Sequence, residues 1–136
     1  EFCTKYQLRT SKEPGMVKVT AHTKEEAENC PVRSVLTKVT AKWNLLILLT
    51  LEDEELRFGE LKRAIGDVTQ RVLTENLRLL ERDGHLTRTV HPGPPLAVSY
   101  ALTEQGFDLL RVLKPLVGWA AQNFGDISEA RARAAE

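Results

Sequence analysis

Arg57-Phe58-Gly59-Glu60-Leu61-Lys62-Arg63-Ala64-Ile65-Gly66-Asp67-Val68 is the stretch on which the reading of the whole chain turns. Arg57-Phe58 reads as a minimal strand leading into a helix expected over 59–65. Phe58, Leu61 and Ile65 fall on one helical face, and Gly66-Asp67 then supplies a turn. A second amphipathic run covers residues 69–83. Thr69 is a good N-cap, and Val72, Leu73, Leu77 and Leu80 lie opposite Gln70, Arg71, Thr74, Glu75 and Arg78. Gly84 closes that run. Alternating segments over 86–90 and 98–102 flank Pro92-Gly93-Pro94-Pro95, which predicts a hairpin with a stiff, donor-poor tip. Helix, turn, helix, stop and hairpin is the order of a winged helix-turn-helix. The expected fold is mainly α with a small β-hairpin, dimeric through its terminal helices.

Working outward, residues 1–15 show no sustained periodicity, and Met16 is the only methionine. Residues 1–21 are expected to form a flexible N-terminal arm. Within it, Met16 reads as a native start behind a vector-derived segment 1–15, with a native arm as the alternative. Thr23-Lys24-Glu25-Glu26 has the capping-box form and opens a short helix ending near Asn29. Pro31 disfavours helical geometry at Cys30 and suits the first position of a helix over 31–39. Val32, Val35, Leu36 and Val39 form its apolar stripe. The helix expected from Lys42 to about Leu51 is apolar nearly all round, hence central and buried. The acid run Glu52-Asp53-Glu54-Glu55 opposes its dipole and helps to end it.

Downstream, Thr103 caps a long helix expected to reach about Phe124 and to kink at Pro115. Two apolar stripes coexist on it: Leu110, Leu113, Val117, Ala120 and Phe124, and Leu109, Val112, Leu116 and Trp119. The winged domain, residues 22–125, buries one stripe. The same helix of a second subunit is the expected cover for the other. Val32, Leu36, Leu109, Val112, Leu116 and Trp119 are therefore the predicted homodimer interface. Residues 126–136 read as a frayed, weakly helical tail.

At 136 residues the chain is expected to be one domain, and no apolar run approaches the roughly 20 residues of a membrane span. With no secretory signal visible, the cytoplasm is the expected compartment. Nineteen basic and nineteen acidic residues give zero net charge, which argues mildly against nucleic acid. From Arg57 to His91 the basic side chains outnumber the acidic ones by two, so the distribution permits DNA without demanding it. Cys3 and Cys30 make neither a disulfide framework nor a CxxC metal pattern. His85 and His91 are about 20 Å apart on an extended strand, too far to share an ion, and no metal site or cofactor is expected. No nucleophile-base-orienter set is visible, so no catalytic residue is assigned and an enzyme is not expected.

Cys30-Pro31-Val32, Lys42-Trp43, Leu46-Ile47-Leu48 and Arg57-Phe58-Gly59-Glu60-Leu61 together resemble the HxlR-type transcriptional regulators. The likeness continues through Val72-Leu73-Thr74, Leu77-Arg78-Leu79-Leu80-Glu81-Arg82-Asp83-Gly84 and Ser99-Tyr100-Ala101-Leu102-Thr103-Glu104-Gln105-Gly106. It covers residues 30–119. The resemblance implies a bacterial homodimer that binds operator DNA through winged helices. Three departures stand out: Thr40-Ala41 replaces the usual Gly-Gly, the loop 52–56 is acidic and lacks glycine, and the second helix opens Thr-Gln-Arg where Ser-Gln-Lys is common. The last of these touches base preference, so no operator sequence follows from the resemblance.

The fold points Thr69, Gln70 and Arg71 at base edges, Gln toward adenine and Arg toward guanine, with Thr74 and Arg78 one turn deeper. Lys62, Arg63, Arg88 and His91 are candidates for phosphate or minor-groove contact, which gives affinity and register without reading sequence. Glu75 would repel phosphate and is expected to pair with Arg71 or Arg78. The expected function is operator binding by a homodimeric repressor on an inverted repeat. A winged-helix protein-interaction module without DNA binding is the alternative. Cys30 is the candidate thiol sensor, since the resemblance implies it: several members of that family sense oxidants or electrophiles through the cysteine at this position. Its competing reading is a small packing residue. Cys3 is a conceivable resolving partner. The interior between the two subunits' long helices is a candidate place for a small-molecule effector, although no convergent polar set identifies one.

Overall fold

The computed structural model describes residues 5–9, 14–18 and 22–136. Cys3 lies outside them. The chain divides into two compact units, residues 1–45 and 46–136. In the first, β1 (Lys5–Arg9) pairs antiparallel with β2 (Pro14–Lys18), Lys5 opposite Lys18 and Arg9 opposite Pro14. The sequence carries no alternation that announces these strands. α1 (Lys24–Glu28) starts at Thr23, whose hydroxyl accepts the Glu26 N–H at 3.1 Å. The Glu26 carboxylate in turn accepts the His22 backbone N–H at 2.8 Å. The helix expected over 31–39 is present, but its first half, Val32–Leu36, is wound as a π-helix before α2 (Thr37–Val39) tightens it. Of its apolar stripe only Val39 is buried; Leu36 is 46% exposed.

α3 (Lys42–Thr50) opens with the Lys42 ammonium 4.2 Å from the Trp43 ring centroid. Its burial is less complete than the all-round apolar pattern predicts. Ile47, Leu48 and the following Leu51 are fully buried, whereas Trp43, Leu45, Leu46 and Leu49 are half-buried. A one-sided core cannot receive every side of an apolar helix at once.

In the second unit β3 (Leu56–Arg57) leads into α4 (Phe58–Ile65). The helix begins one residue earlier than expected because the Arg57 N–H donates to the Glu60 carboxylate at 2.9 Å, which makes Arg57 the N-cap. α5 (Gln70–Arg82) is capped by Thr69, whose hydroxyl accepts the Val72 N–H at 3.2 Å. It ends in a Schellman motif: Gly84, at φ 86°, donates to the Glu81 carbonyl and His85 donates to the Leu80 carbonyl. β4 (Leu86–His91) and β5 (Ala97–Leu102) form the hairpin, and β3 joins the far side of β5, so the sheet order is β3-β5-β4. The third strand is the minimal one expected at Arg57-Phe58, found one residue earlier at Leu56–Arg57. Leu61, Leu73, Leu77, Leu80, Leu86 and Leu110 fill the core between helices and sheet.

α6 (Glu104–Ala134) is locked to the end of α5 at its first turn. The Thr103 hydroxyl accepts the Gly106 N–H at 3.0 Å and donates to the Gly84 carbonyl at 2.6 Å. Gly106 lies so close to the His85 carbonyl that no Cβ fits there. α6 continues through Pro115 and well past Phe124, which corrects the expected frayed tail. The extension is rich in Ala, Arg and Glu, among the best helix formers, and needs no packing partner to favour helix.

Candidate nucleic-acid interface

α4 and α5, joined by the turn at Gly66-Asp67, form the helix-turn-helix. The period of α5 divides its side chains cleanly. Leu73, Leu77 and Leu80 are buried, while Gln70, Arg71, Glu75 and Arg78 are exposed and Thr74 is half-buried. The Thr69 hydroxyl is occupied as the N-cap. The Arg71 side chain, 89% exposed, bonds Glu75 at 3.1 Å, one of the two pairings expected for Glu75. The Thr74 hydroxyl donates to the Gln70 carbonyl at 2.8 Å, leaving its lone pairs outward. Lys62 and Arg63 occupy the last turn of α4, Lys62 half-buried and Arg63 exposed.

Arg88 and His91, both candidates for phosphate or minor-groove contact, lie on the same wing strand, but the sheet separates them. Successive side chains of a strand alternate faces, so positions 88 and 91 point to opposite sides. Arg88 stands directly across from Tyr100, on the face that also carries the buried Leu86 and Leu102. It therefore faces α5, and a cleft of 310 Å³ there is lined by Thr74, Arg78, Glu81, Arg88 and Tyr100. His91 lies on the other face, beside Ser99, with its Nε2 2.8 Å from the Ser99 hydroxyl and 3.8 Å from Glu55.

The Ser99 hydroxyl donates to the Glu55 carboxylate. With its one proton so used, the hydroxyl accepts from His91 Nε2–H. Ser, His and Glu side chains meet here without forming a nucleophilic triad. In a triad the carboxylate orients the imidazole from the far ring nitrogen, whereas here Glu55 holds the hydroxyl itself. The cluster fastens the acidic loop to the wing. A second fastening lies at Glu52, which accepts from the Lys114 ammonium of α6 at 2.5 Å, a bond that raises the lysine pKa. These two pairings account for acidic residues that sequence reading treated only as a helix stop. Glu55 and Ser99 are 44 positions apart, and no local pattern connects them. Among the described residues no three His, Cys, Asp or Glu side chains gather as a metal site.

Of the predicted dimer residues, Val112 (66%), Leu116 (47%) and Trp119 (57%) are exposed on α6, and Leu109 is half-buried. Leu36 is exposed and Val32 half-buried in the first unit. The stripe expected to pack on the domain does so at Leu110 and Leu113, but Phe124 is exposed because α6 outruns the core. Cys30 is 5% exposed, immediately before Pro31. No helix among the described residues is long and apolar enough to cross a membrane.

A recognition-type helix with one face in the core and the other displaying Gln70, Arg71 and Arg78, flanked by a three-stranded wing, defines a winged helix-turn-helix regulator. The model of the HxlR-like helix-turn-helix family matches residues 38–128. The chain belongs to that family and is a transcriptional regulator of the helix-turn-helix type. It is 38% identical over 105 residues to the HTH-type transcriptional regulator YtfH of Escherichia coli strain K12, spanning 77% of this chain and 83% of that protein. Among solved structures, ytfH from Salmonella typhimurium superposes with a TM-score of 0.71 at 38% identity, covering 78% of this chain and 95% of the other. The redox regulator HypR in its oxidized form follows the fold with a TM-score of 0.63 at 36% identity, over 69% of this chain and 97% of that one. These relatives are regulators, not enzymes.

Proposed function

We propose that the protein binds double-stranded operator DNA as a homodimer, with α5 in the major groove, and acts as a repressor. Gln70 and Arg71 read base edges, Thr74 and Arg78 extend that contact, and Thr69 sets the start of the helix. Lys62, Arg63 and Arg88 hold phosphates and fix the register. His91 is reached from the wing's other face and contributes through the backbone alone. The observation that carries this reading is the exposed face of α5, where an arginine that is 89% exposed projects opposite three buried leucines. Two-fold symmetry of the dimer calls for an inverted repeat with half-site centres about one or two helical turns apart.

Regulation through Cys30 is the second part of the proposal. Its support is the kinship to the redox regulator HypR. The thiol is buried, so reaction with an oxidant or electrophile requires the segment around Pro31 to open first. A thiol oxidant is expected to change operator affinity in the native protein and not in Cys30→Ser.

The test of DNA binding is a titration of the duplex upstream of the protein's own gene, over a series of salt concentrations, beside scrambled DNA. Affinity should fall linearly with salt on logarithmic axes, because phosphate contacts release counterions. Arg71→Ala should weaken binding by about tenfold or more, the worth of one bidentate base contact, and leave the oligomeric state unchanged. Unchanged affinity in that variant would mean that α5 is not the reading helix. Absence of binding at low salt would transfer the same surface to a protein partner.

A further inference from the structure

The cleft between α5 and the wing has a composition that DNA alone does not explain. Arg78 reaches it from the helix and Arg88 from β4, and neither guanidinium has a hydrogen-bond or ion-pair partner among the described residues. Tyr100, 8% exposed, lies directly across the strand pair from Arg88 and lines the same cleft. Thr74 adds hydroxyl lone pairs, since its proton is given to the Gln70 carbonyl. The cleft's 310 Å³ is within the range of small-molecule sites, about 300–1,000 Å³.

The decisive residue is Glu81. It lines the cleft beside the two arginines and is itself unpaired among the described residues. A DNA phosphodiester has only acceptor oxygens, so Glu81 repels it and nothing on the phosphate satisfies the carboxylate. A small molecule carrying both a carboxylate and a hydroxyl or amino donor meets every group. Its carboxylate spans the planar forks of Arg78 and Arg88, which suit bidentate oxyanion binding. Its donor reaches Glu81 or Thr74, and its apolar body lies against the Tyr100 ring.

We propose that the cleft between α5 and β4 is an effector site for small carboxylates that also bear a hydrogen-bond donor, held by Arg78, Arg88 and Glu81. An occupant takes from the DNA surface the two arginines that the operator would use, so the ligand competes with DNA and releases it. That competition rests on the DNA-binding reading; binding of the ligand to the free protein does not.

The experiment is calorimetric and NMR titration of the full chain, without DNA, using 4-hydroxybenzoate, benzoate and inorganic phosphate as probes. Saturable one-to-one binding of 4-hydroxybenzoate is expected in the millimolar range or tighter, with amide shifts concentrated on residues 74–81, 88 and 100. Arg88→Gln and Arg78→Gln should each weaken it by about tenfold. Glu81→Gln should weaken 4-hydroxybenzoate and leave benzoate unchanged or tighter. No saturable binding of either aromatic acid, or binding indifferent to both arginine variants, overturns the proposal. Phosphate binding as well as 4-hydroxybenzoate, with Glu81→Gln strengthening both, also overturns it and leaves a plain phosphate contact. Binding to the free protein with no loss of operator affinity would retain the site but reject the competition. If no operator is bound in the first place, the DNA-binding reading fails while the ligand titration stands.

Discussion

At the scale of single residues, His85 shows how local chemistry fixes a protonation state. The Gln105 amide donates one proton to the Asp83 carbonyl at 2.8 Å and another to His85 Nδ1 at 3.0 Å. A second proton on that ring nitrogen would face a donor, so the arrangement selects the neutral imidazole. Burial lowers the His85 pKa below 6.5, and the Asp83 carboxylate offsets only part of that effect. The unfolded chain therefore takes up a proton at higher pH than the folded one. Stability from this group is fully present above about pH 6.5 and is lost as pH falls from there through the depressed folded pKa. Urea denaturation between about pH 7.5 and pH 5.5 should show the native protein losing stability, and His85→Gln should flatten that decline. His22 and His91 are the same in both proteins, so the difference between the two curves isolates His85. Parallel curves would place the proton uptake on another group.

At the scale of elements, α5 balances two demands on Arg71. Its guanidinium is tied to Glu75 on the free protein, an exposed pair worth about 0.5 kcal/mol at most. Under the operator-binding proposal DNA has to release it, and the Glu75 carboxylate then sits beside the phosphates. Glu75→Gln removes both obstacles, and operator affinity measured at fixed low salt should rise about fivefold, or ~1 kcal/mol. The gain should shrink at high salt, because it is electrostatic. An equal gain at all salt concentrations would point instead to a change in helix packing. α5 and the hairpin were legible in the sequence because their signals are local: the Thr69 cap, the leucine spacing, Gly84 and the strand alternation. The division of Arg88 from His91 was also written there, in an odd spacing along one strand, but treating the wing as a single basic feature hides it. The fastening of Glu55 to Ser99 and His91 was not legible, since a contact across 44 positions leaves no periodicity in either segment. The one-residue shift at Arg57 belongs between these cases, because Glu60 stands at capping-box distance from it yet the N-cap is not a usual capping residue.

At the scale of the whole molecule, the unanswered surface is α6. Val112, Leu116 and Trp119 expose large apolar groups at helical spacing, on a helix whose other side supplies Leu110 and Leu113 to the core. Scattered exposed leucines are ordinary, but a contiguous stripe ending in a tryptophan is the mark of a partner surface. The operator reading needs that partner to be a second copy, because an inverted repeat is read by two identical helices. Sedimentation equilibrium of the native chain at micromolar concentration should give twice the 15.3 kDa mass of one chain. Replacing Val112 and Trp119 together by Asp should shift the mass toward one chain. Neither side chain is buried in the single chain, so far-UV circular dichroism should remain close to native. The paired variant should also lose operator affinity far more than affinity for a single half-site, since it removes the linkage of two binding events and no DNA contact. A monomeric native protein would remove the symmetry argument. A variant that stays dimeric would move the interface off this stripe, and loss of helical signal would show that the two positions carry the fold itself.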